Sequence, residues 1–313
     1  MVEPELPFRK IIIDSRNAVV GDAENFVFSL PSTLQLPPNT ACYVLDVALS
    51  YGFYTVETGS NDKLYFWERY WNGSQGITLV TTATLSPGSY TATSLAAEIQ
   101  TAINSVSVFL SSYTCSYEPS TNTILLSLAY SSAFPTYAQY HGFTMLSKKV
   151  LADPGVQSRV NFLQPNFSFN TIQDASGLLG IDATSTGTFD DVASLLNAFD
   201  NPNVAGSFPK TLRSGHIDVR SRHVLYLHSD ALAGMRTIGP NGSRSVISRV
   251  PVTTTFGGML FKEHSSHALD YIPVGGRTLT TIDVAVRDSF GEIVPLHGSH
   301  LSFELLFSPE PVA

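Results

Sequence analysis

The carboxyl-terminal segment carries the clearest alternation of hydrophobic and polar positions in the chain. Apolar residues occupy every second position in two runs: Ile282, Val284 and Val286 in the first, and Leu301, Phe303, Leu305 and Phe307 in the second. Side chains of a β-strand alternate between two faces, so each run predicts a half-buried strand. Between the runs, Asp288–Gly291 begins with Asp and ends with Gly, as type I turns prefer. The pattern predicts a terminal β-hairpin packed on a sheet.

Strand-like patterns also dominate the amino-terminal part. Phe26, Phe28 and Leu30 alternate with less apolar residues until Pro31 breaks the run. In the next run we expect one face to be apolar and the opposite face to hold smaller and polar residues. The apolar face comprises Tyr43, Leu45, Val47, Leu49 and Tyr51, and the other face comprises Cys42, Asp46 and Ser50.

A β-α-β-β block is predicted between Ile77 and Leu128. A strand ends at Pro87-Gly88, and a helix follows in which Leu95, Ile99, Ala102 and Ile103 recur at three- and four-residue spacing, with Thr93 or Ser94 as its cap. A hairpin then pairs the runs around Cys115 and Leu126. From about residue 131 to 210 the pattern loosens, with one weak helix at about 190–199. No internal repeat and no clear domain boundary is visible.

Composition and charge narrow the functional classes. The 313 residues are only 14% charged, below the roughly 25% typical of soluble domains, and the net charge is −8. An acidic chain has no overall basic field to hold nucleic acid. Residues 210–249 are nevertheless basic, with one lysine and six arginines against Asp218 and Asp230. We interpret them first as cross-strand or intersubunit ion pairs, and second as a patch facing a polyanion.

The termini and cysteines indicate folding inside a cell. Cys42 and Cys115 are too few for a disulfide framework, and each is predicted to be a small buried hydrophobe. The first residues lack the basic and apolar regions of a signal peptide. No apolar run reaches the length that spans a bilayer.

No pattern in the sequence is strong enough to predict a catalytic or metal-binding site. His264, His267 and Asp270 could bind a metal only from a loop, and His297 and His300 flank a turn. There is no Gly-x-Ser-x-Gly elbow, and neither cysteine has a setting that favours thiolate. A carboxylate pair for glycoside chemistry remains an open alternative, without named residues. We therefore predict no enzyme, and no catalytic, cofactor-binding or metal-ligating residue.

An aromatic group forms the remaining candidate site. Its members are Tyr65, Phe66, Trp67, Tyr70 and Trp71. Such a group could stack sugars, as in lectin-like sandwiches. Alternation places Phe66 opposite Tyr65 and Trp67, so some of these rings must enter a core. Core or subunit contact is the preferred interpretation.

Four segments together resemble the minor capsid (penton-type) proteins of polintons, polinton-like viruses and adintoviruses. Each segment alone is unspecific, but their order from Gly52 to Phe307 is consistent with that family. They are Asn61–Trp67 after a strand ending Gly52-Phe-Tyr, Leu85–Leu95 with the following helix, Ala175–Ile181, and Ile282–Gly298.

The resemblance implies a capsid protein of the adenovirus-like lineage. Its expected fold is all-β, an antiparallel jelly-roll sandwich with the β-α-β-β element inserted and one short helix. Residues 1–313 would form one capsid protein whose roll is built from amino- and carboxyl-terminal strands, with about 77–210 as an inserted subdomain and long loops. The subunit would form homopentamers at the vertices of an icosahedral shell, made and assembled inside the host cell and not secreted.

The expected partners follow from the same resemblance, and two alternative functions stay open. The expected partners are the chain itself, a separate double jelly-roll major capsid protein, and a spike or an internal membrane, without specific nucleic-acid binding. The first alternative is that the chain is a small double jelly-roll major capsid protein that forms trimers. The second is a lectin-like receptor- or glycan-binding module.

Overall fold

The computed structural model shows a chain built mainly of antiparallel strands. It describes residues 9–71, 74–107, 113–129, 141–163, 174–181, 196–197, 200–201, 203, 210–220, 222–234, 237–263 and 271–311. Its strands are β1 (Arg9–Asp14), β2 (Val20–Asp22), β3 (Asn25–Gln35), β4 (Thr40–Ser50), β5 (Lys63–Trp71), β6 (Gly76–Thr84), β7 (Tyr113–Glu118), β8 (Thr123–Leu128), β9 (Gly142–Leu146), β10 (Thr211–Arg213), β11 (Val224–His228), β12 (Val246–Pro251), β13 (Met259–Lys262), β14 (Ile272–Pro273), β15 (Thr278–Arg287) and β16 (Leu301–Pro309). The helices are α1 (Ala92–Val106), α2 (Lys148–Leu151) and α3 (Pro154–Leu163). None of these helices has the length and apolar character that a bilayer-spanning helix needs.

The chain divides into two compact units. Unit 1 combines residues 1–53 with 222–313, and unit 2 comprises 54–221. The insertion predicted from the sequence begins at about residue 77, whereas unit 2 begins at Tyr54 and so also includes β5. The strands of unit 1 come from both ends of the chain, so unit 2 interrupts it between β4 and β11.

Unit 1 is a single jelly roll. One sheet, sheet one, has the order β1-β16-β4-β13, with β14 also paired to β4, and the other, sheet two, has the order β12-β11-β15-β3-β2. To compare unit 1 with a standard jelly roll, we leave out the short β2 and count β13 and β14 as one strand. The eight strands of unit 1 that result are numbered one to eight in chain order. Sheet one then reads 1-8-3-6 and sheet two reads 5-4-7-2. This is the double-sheet arrangement of jelly rolls, and it confirms the predicted fold class.

The core of unit 1 lies between the inward faces of these two sheets. The alternation predicted for the carboxyl-terminal strands is confirmed: Ile282, Val284, Val286, Leu301, Phe303, Leu305 and Phe307 are all buried. The predicted hairpin is wrong, because β15 pairs with β3 and β11 whereas β16 pairs with β1 and β4. The turn at Asp288–Gly291 folds the chain back on the end of β15, where Arg287 pairs with Ile293, and residues 294–300 then lead to β16 in the other sheet.

Strand β4 departs from the predicted alternation because of an irregularity at Asp46. This residue has a φ of 38°, and the register of β4 against β16 shifts at the same place. A β-bulge adds one residue to a strand, so the alternate residues that face the core before the bulge face outward after it. Val47 and Leu49 therefore point into the core as predicted, whereas Tyr43 and Leu45 point outward, contrary to the prediction.

Pro31 does not end its strand, which is a second correction. β3 continues to Gln35, and its pairing with β15 is irregular between Leu279 and Thr281, opposite the segment that contains the proline. Proline lacks a backbone N–H, so it is tolerated in a strand where the ladder of hydrogen bonds is already interrupted.

Unit 2 contains two three-stranded sheets and the predicted β-α-β-β block. The sheets have the orders β6-β5-β9 and β10-β8-β7, and the predicted β7–β8 hairpin is present. The apolar face of α1 is buried as predicted. Its cap is Thr91 and not Thr93 or Ser94: the Thr91 side chain accepts from the Ser94 amide, and Ser94 bonds back to the cap in a capping box. No second jelly roll is present among the described residues of this unit.

Candidate assembly surface

The outward face of sheet one carries exposed apolar side chains among polar ones, which include Lys10, Asp14, Asp46, Ser302 and Glu304. Ile12 on β1 is 62% exposed, and Met259 and Phe261 on the edge strand β13 are 46% and 67% exposed. Half-exposed apolar side chains lie on the strands between them. We call this surface the sheet-one outer face; it comprises Ile12, Tyr43, Leu45, Ala48, Met259, Phe261 and Leu306.

Strand register brings these side chains together. Glu304 on β16 pairs with Ile12 on one side and with Leu45 on the other, so both apolar residues flank it. Phe261 lies opposite Ala48 in the next pair of strands. Residues directly opposite in antiparallel strands have their Cβ atoms about 5 Å apart. Apolar side chains therefore recur across the sheet from β1 to β13, with Glu304, Ser302 and Asp46 between them.

One ion pair lies within this surface. Lys10 Nζ is 2.6 Å from Glu304 Oε2, and this contact raises the pKa of Lys10 through a hydrogen bond and the nearby negative charge. Lys10 is largely exposed, so the pair contributes little to stability in an isolated copy. It neutralises the carboxylate at the centre of the sheet-one outer face, which lowers the cost of covering that face.

The outward face of sheet two is more strongly charged around β15. It presents Thr281, Asp283 and Arg287 on β15, and the cross-strand neighbours Tyr226 and Arg249 on β11 and β12. The outward face of sheet two thus combines charged side chains on β12 and β15 with an exposed apolar residue, Val20, on its edge strand β2.

Exposed large apolar side chains concentrate in unit 1. Of the ten identified among the described residues, only Val106 belongs to unit 2. The others include Phe256 beside β13, whose ring meets Tyr51 edge-on with centroids 6.0 Å apart. Contiguous exposed apolar surface on a folded domain marks a site that another molecule covers. The jelly roll therefore carries most of the exposed large apolar side chains that the structure describes.

A buried carboxylate in unit 2 is held by hydroxyl groups. Glu68 Oε1 accepts from Ser107 Oγ at 2.5 Å and from Tyr113 Oη at 2.8 Å. Burial, together with the negative charge of Glu68, raises the pKa of Tyr113 well above its ordinary value, so the phenol stays protonated as the donor. These contacts join β5 to the residue after α1 and to β7, which gives Glu68 a structural role.

The aromatic group on β5 lies mainly in the interior. Tyr65 and Trp67 are buried in one apolar cluster and Phe66 in another, because β5 is the central strand of its sheet and is covered on both faces. Tyr70 and Trp71 are half-buried. A sugar-stacking platform needs exposed ring faces, so burial of the first three rings favours the interpretation as core.

The histidine candidates do not form a metal centre in the described part of the chain. His264, His267 and Asp270 lie outside the described residues. His297 and His300 are exposed, and His297 has a φ of 48° in a turn. No group of three or more His, Cys, Asp or Glu residues that could hold a metal ion occurs among the residues that the structure describes.

The two cysteines have the environments of unreactive thiols. Cys42 is fully buried, as predicted, and burial raises its pKa. Cys115 is partly buried, and burial raises its pKa to about 12. A thiol with a raised pKa carries little thiolate near pH 7 and is a poor nucleophile.

The basic stretch from 210 to 249 divides between the two units. Lys210, Arg213 and Arg220 belong to unit 2, and the later residues belong to unit 1. Arg222 lies 3.6 Å from Asp288 and is buried, and Arg220 lies 4.0 Å from Asp218 at the surface. Arg222 thus pairs with a distant segment, whereas Arg220 and Asp218 are neighbours in one loop and are not a cross-strand pair; Arg236 lies outside the described residues.

The residues of the sheet-one outer face were not singled out by the sequence analysis. The alternation in the sequence places Tyr43 and Leu45 on the same face as Val47 and Leu49, which are buried. The sequence contains one sign of the bulge, the charged residue Asp46 in an otherwise apolar run. This residue can be interpreted as a bulge only when the pairing of β4 with β16 is known.

Comparisons with known proteins give loose structural matches and no relative by sequence. No family model matches the chain, and no curated protein matches it. Among solved structures, the mavirus penton protein aligns over 96% of this chain and 99% of its own, with a TM-score of 0.46 and 8% identity. The Sputnik virophage structure aligns over 98% and 99%, with a TM-score of 0.39 and 13% identity. At these scores the likeness is too loose to assign a function to this chain.

Proposed function

We propose that this protein is a structural capsid subunit of the penton type, which assembles into homopentamers at the vertices of an icosahedral shell. The observation that carries the proposal is the sheet-one outer face on a single jelly roll. Jelly rolls occur in viral capsid proteins, lectins and cupins, so the fold alone leaves several functions open. An exposed apolar sheet face favours a subunit that is covered by neighbours.

Assembly would be driven by burial of this face. Each square ångström of apolar surface removed from water contributes about 25 cal/mol, and a standard contact covers about 800 Å² of each partner. The sheet-one outer face of one copy would pack against a different surface of the next. Such head-to-tail contacts generate closed rings when the rotation between copies closes, as it does in a pentamer.

The single roll favours the penton over the major capsid protein. The sequence resemblance implies a double jelly-roll protein as the partner that forms the rest of the shell, and the described residues of this chain contain only one roll. Unit 2 would serve another contact, with a spike or an internal membrane as candidates. The protein would be located in the virion, after synthesis and assembly inside the host cell without secretion, and would bind no specific nucleic acid.

The mass of the purified protein tests this proposal. Native mass spectrometry or light scattering on the full chain is expected to give a fivefold assembly. A trimer would support the major capsid protein instead. A chain that remains monomeric at every salt concentration, alone and with the capsid proteins encoded beside it, would contradict the proposal.

A further inference from the structure

A buried ion pair lies where the chain leaves the jelly roll of unit 1 and returns to it. The first segment of unit 1 ends at Phe53, and the second begins at Arg222. Phe53 is fully buried, and the guanidinium carbon of Arg222 lies 5.8 Å from the centre of its ring. Arg222 also lies 3.6 Å from Asp288, and only 8% and 9% of these two residues are exposed. We call Phe53, Arg222 and Asp288 the junction clamp.

Backbone contacts within unit 1 hold both segments beside the clamp. Gly52 approaches the turn at 296–299 so closely that a Cβ would lie 2.2 Å from Ser299 Oγ, an approach that only glycine allows. On the returning segment, the Val252 amide donates to the His223 carbonyl at 2.9 Å. The two ends of the interrupted chain are therefore placed by residues of unit 1 itself.

The jelly roll is otherwise complete without the inserted residues. The described strands of its two sheets all belong to unit 1, and the buried residues of its core cluster lie within 13–53 and 225–307. The core clusters of unit 2 draw only on residues within 56–219. A unit with its own core is able to unfold as its own cooperative body. The jelly roll then needs one thing more, two chain ends held at a fixed separation.

Stability alone is a weak reason for a buried ion pair at this place. The cost of taking both charges out of water offsets much of their attraction, and apolar residues of similar size often stabilise a core as well. A cation above an aromatic ring and beside a carboxylate instead fixes three chain segments relative to one another. An insertion point needs such a fixed arrangement, because bringing two distant chain positions together costs entropy.

We propose that the junction clamp closes the jelly roll independently of unit 2, so that unit 2 can unfold or rearrange while the jelly roll stays folded. A folded unit 2 fixes the separation of its own ends, and the clamp then adds little. When unit 2 opens, the clamp holds residues 53 and 222 together. The inference concerns folding and does not require the proposed capsid role.

Hydrogen–deuterium exchange of the full chain in urea, read by mass spectrometry, tests the independence of the jelly roll. Trp67 is the largest fully buried side chain among the described residues. Trp67→Ala should therefore lower the protection of the β7 and β8 amides in unit 2 about a hundredfold or more. At the urea concentration that removes this protection, the β15 and β16 amides should stay as protected as in the wild type. Equal losses in the two units would overturn the inference.

A variant without the clamp tests its role. Arg222→Met combined with Asp288→Asn removes both charges together, so neither is left buried without the other. While unit 2 is folded, this variant should lower the protection of β15 and β16 only slightly. When Trp67→Ala is added and unit 2 is open in urea, the loss should become about tenfold larger, the usual effect of losing an interaction with a charged group.

Arg277→Met is the matched control. Arg277 also belongs to unit 1, where it donates to the carbonyls of Ala231 and Ala233, but it is not part of the clamp. Its replacement should lower the protection of β15 and β16 by the same factor whether unit 2 is folded or open. A clamp variant that behaves like this control, with one constant factor, would overturn the inference.

Discussion

Replacing Phe261 by threonine should weaken self-association while the fold of each copy remains intact. Phe261 lies on the outward face of the edge strand β13, and 67% of it is exposed, so an isolated copy gains little from its ring. Threonine is β-branched and suits a strand, which limits the effect on β13 itself. The change therefore removes apolar area from the sheet-one outer face and little else.

The expected magnitude follows from the exposed area of the ring. A phenylalanine side chain buries about 150–250 Å² when it is fully covered, so about 100–170 Å² of Phe261 remains for a neighbour to cover. At about 25 cal/mol per Å² this area contributes about 2.5–4 kcal/mol. Threonine recovers part of this contribution, which leaves a loss of about 2–3 kcal/mol, or a contact about 30- to 150-fold weaker.

Sedimentation velocity across a concentration series measures this loss, and circular dichroism checks the fold of each variant. Val20→Thr is the control, because Val20 is 66% exposed on β2 at the edge of sheet two, outside the sheet-one outer face. The control should assemble as the wild type does. Unchanged assembly of Phe261→Thr, or an equal loss in both variants, would refute the reasoning.

Three further predictions concern the interior of the protein. Trp67→Ala should destabilise the chain by about 3–5 kcal/mol in urea unfolding, because Trp67 is fully buried; a lectin would instead lose glycan binding at unchanged stability. Tyr113→Phe should cost about 1–3 kcal/mol in the same assay, since it removes a hydroxyl that donates to Glu68; an unchanged unfolding midpoint would show that the contact contributes nothing. Burial lowers the pKa of His141 and His228 from the ordinary 6.5, so the unfolded chain binds more protons than the folded chain. Stability should therefore be complete above pH 6.5 and should fall as the pH drops below it, by at most about 1.4 kcal/mol per pH unit for each histidine; equal unfolding free energies at pH 7.5 and 5.5 would contradict this.

Local patterns in the sequence predicted much of the fold. The alternation in β15 and β16 identified their buried residues, because period-two burial is a property of a single strand. The spacing of Leu95, Ile99 and Ile103 likewise identified the buried face of α1. Each of these features depends on residues close together in the chain.

Pairing between distant segments could not be read from the sequence. The alternation in β15 and β16 is the same whether they form a hairpin or lie in different sheets, and only the jelly-roll order separates them. Which residues of β4 face the core depends on the bulge at Asp46, and this bulge is visible only in the pairing of β4 with β16. The sheet-one outer face was missed for this reason, because Tyr43 and Leu45 were assigned to the wrong side.

The interior of unit 2 also depends on contacts between distant segments, which the sequence does not reveal. β5 is buried on both faces because it lies at the centre of a sheet with an apolar cluster on each side. Its run of aromatic residues was therefore compatible with a core or with an exposed platform. The contact of Glu68 with Ser107 and Tyr113 joins residues 39 and 45 positions apart, and no local pattern indicates it.

A cryo-electron microscopy map of the recombinant assembly tests the central claim most directly. The account predicts a ring with fivefold symmetry in which Ile12, Leu45 and Phe261 of each copy are covered by the next copy. An assembly of another symmetry, or a ring in which these side chains still face solvent, would contradict it.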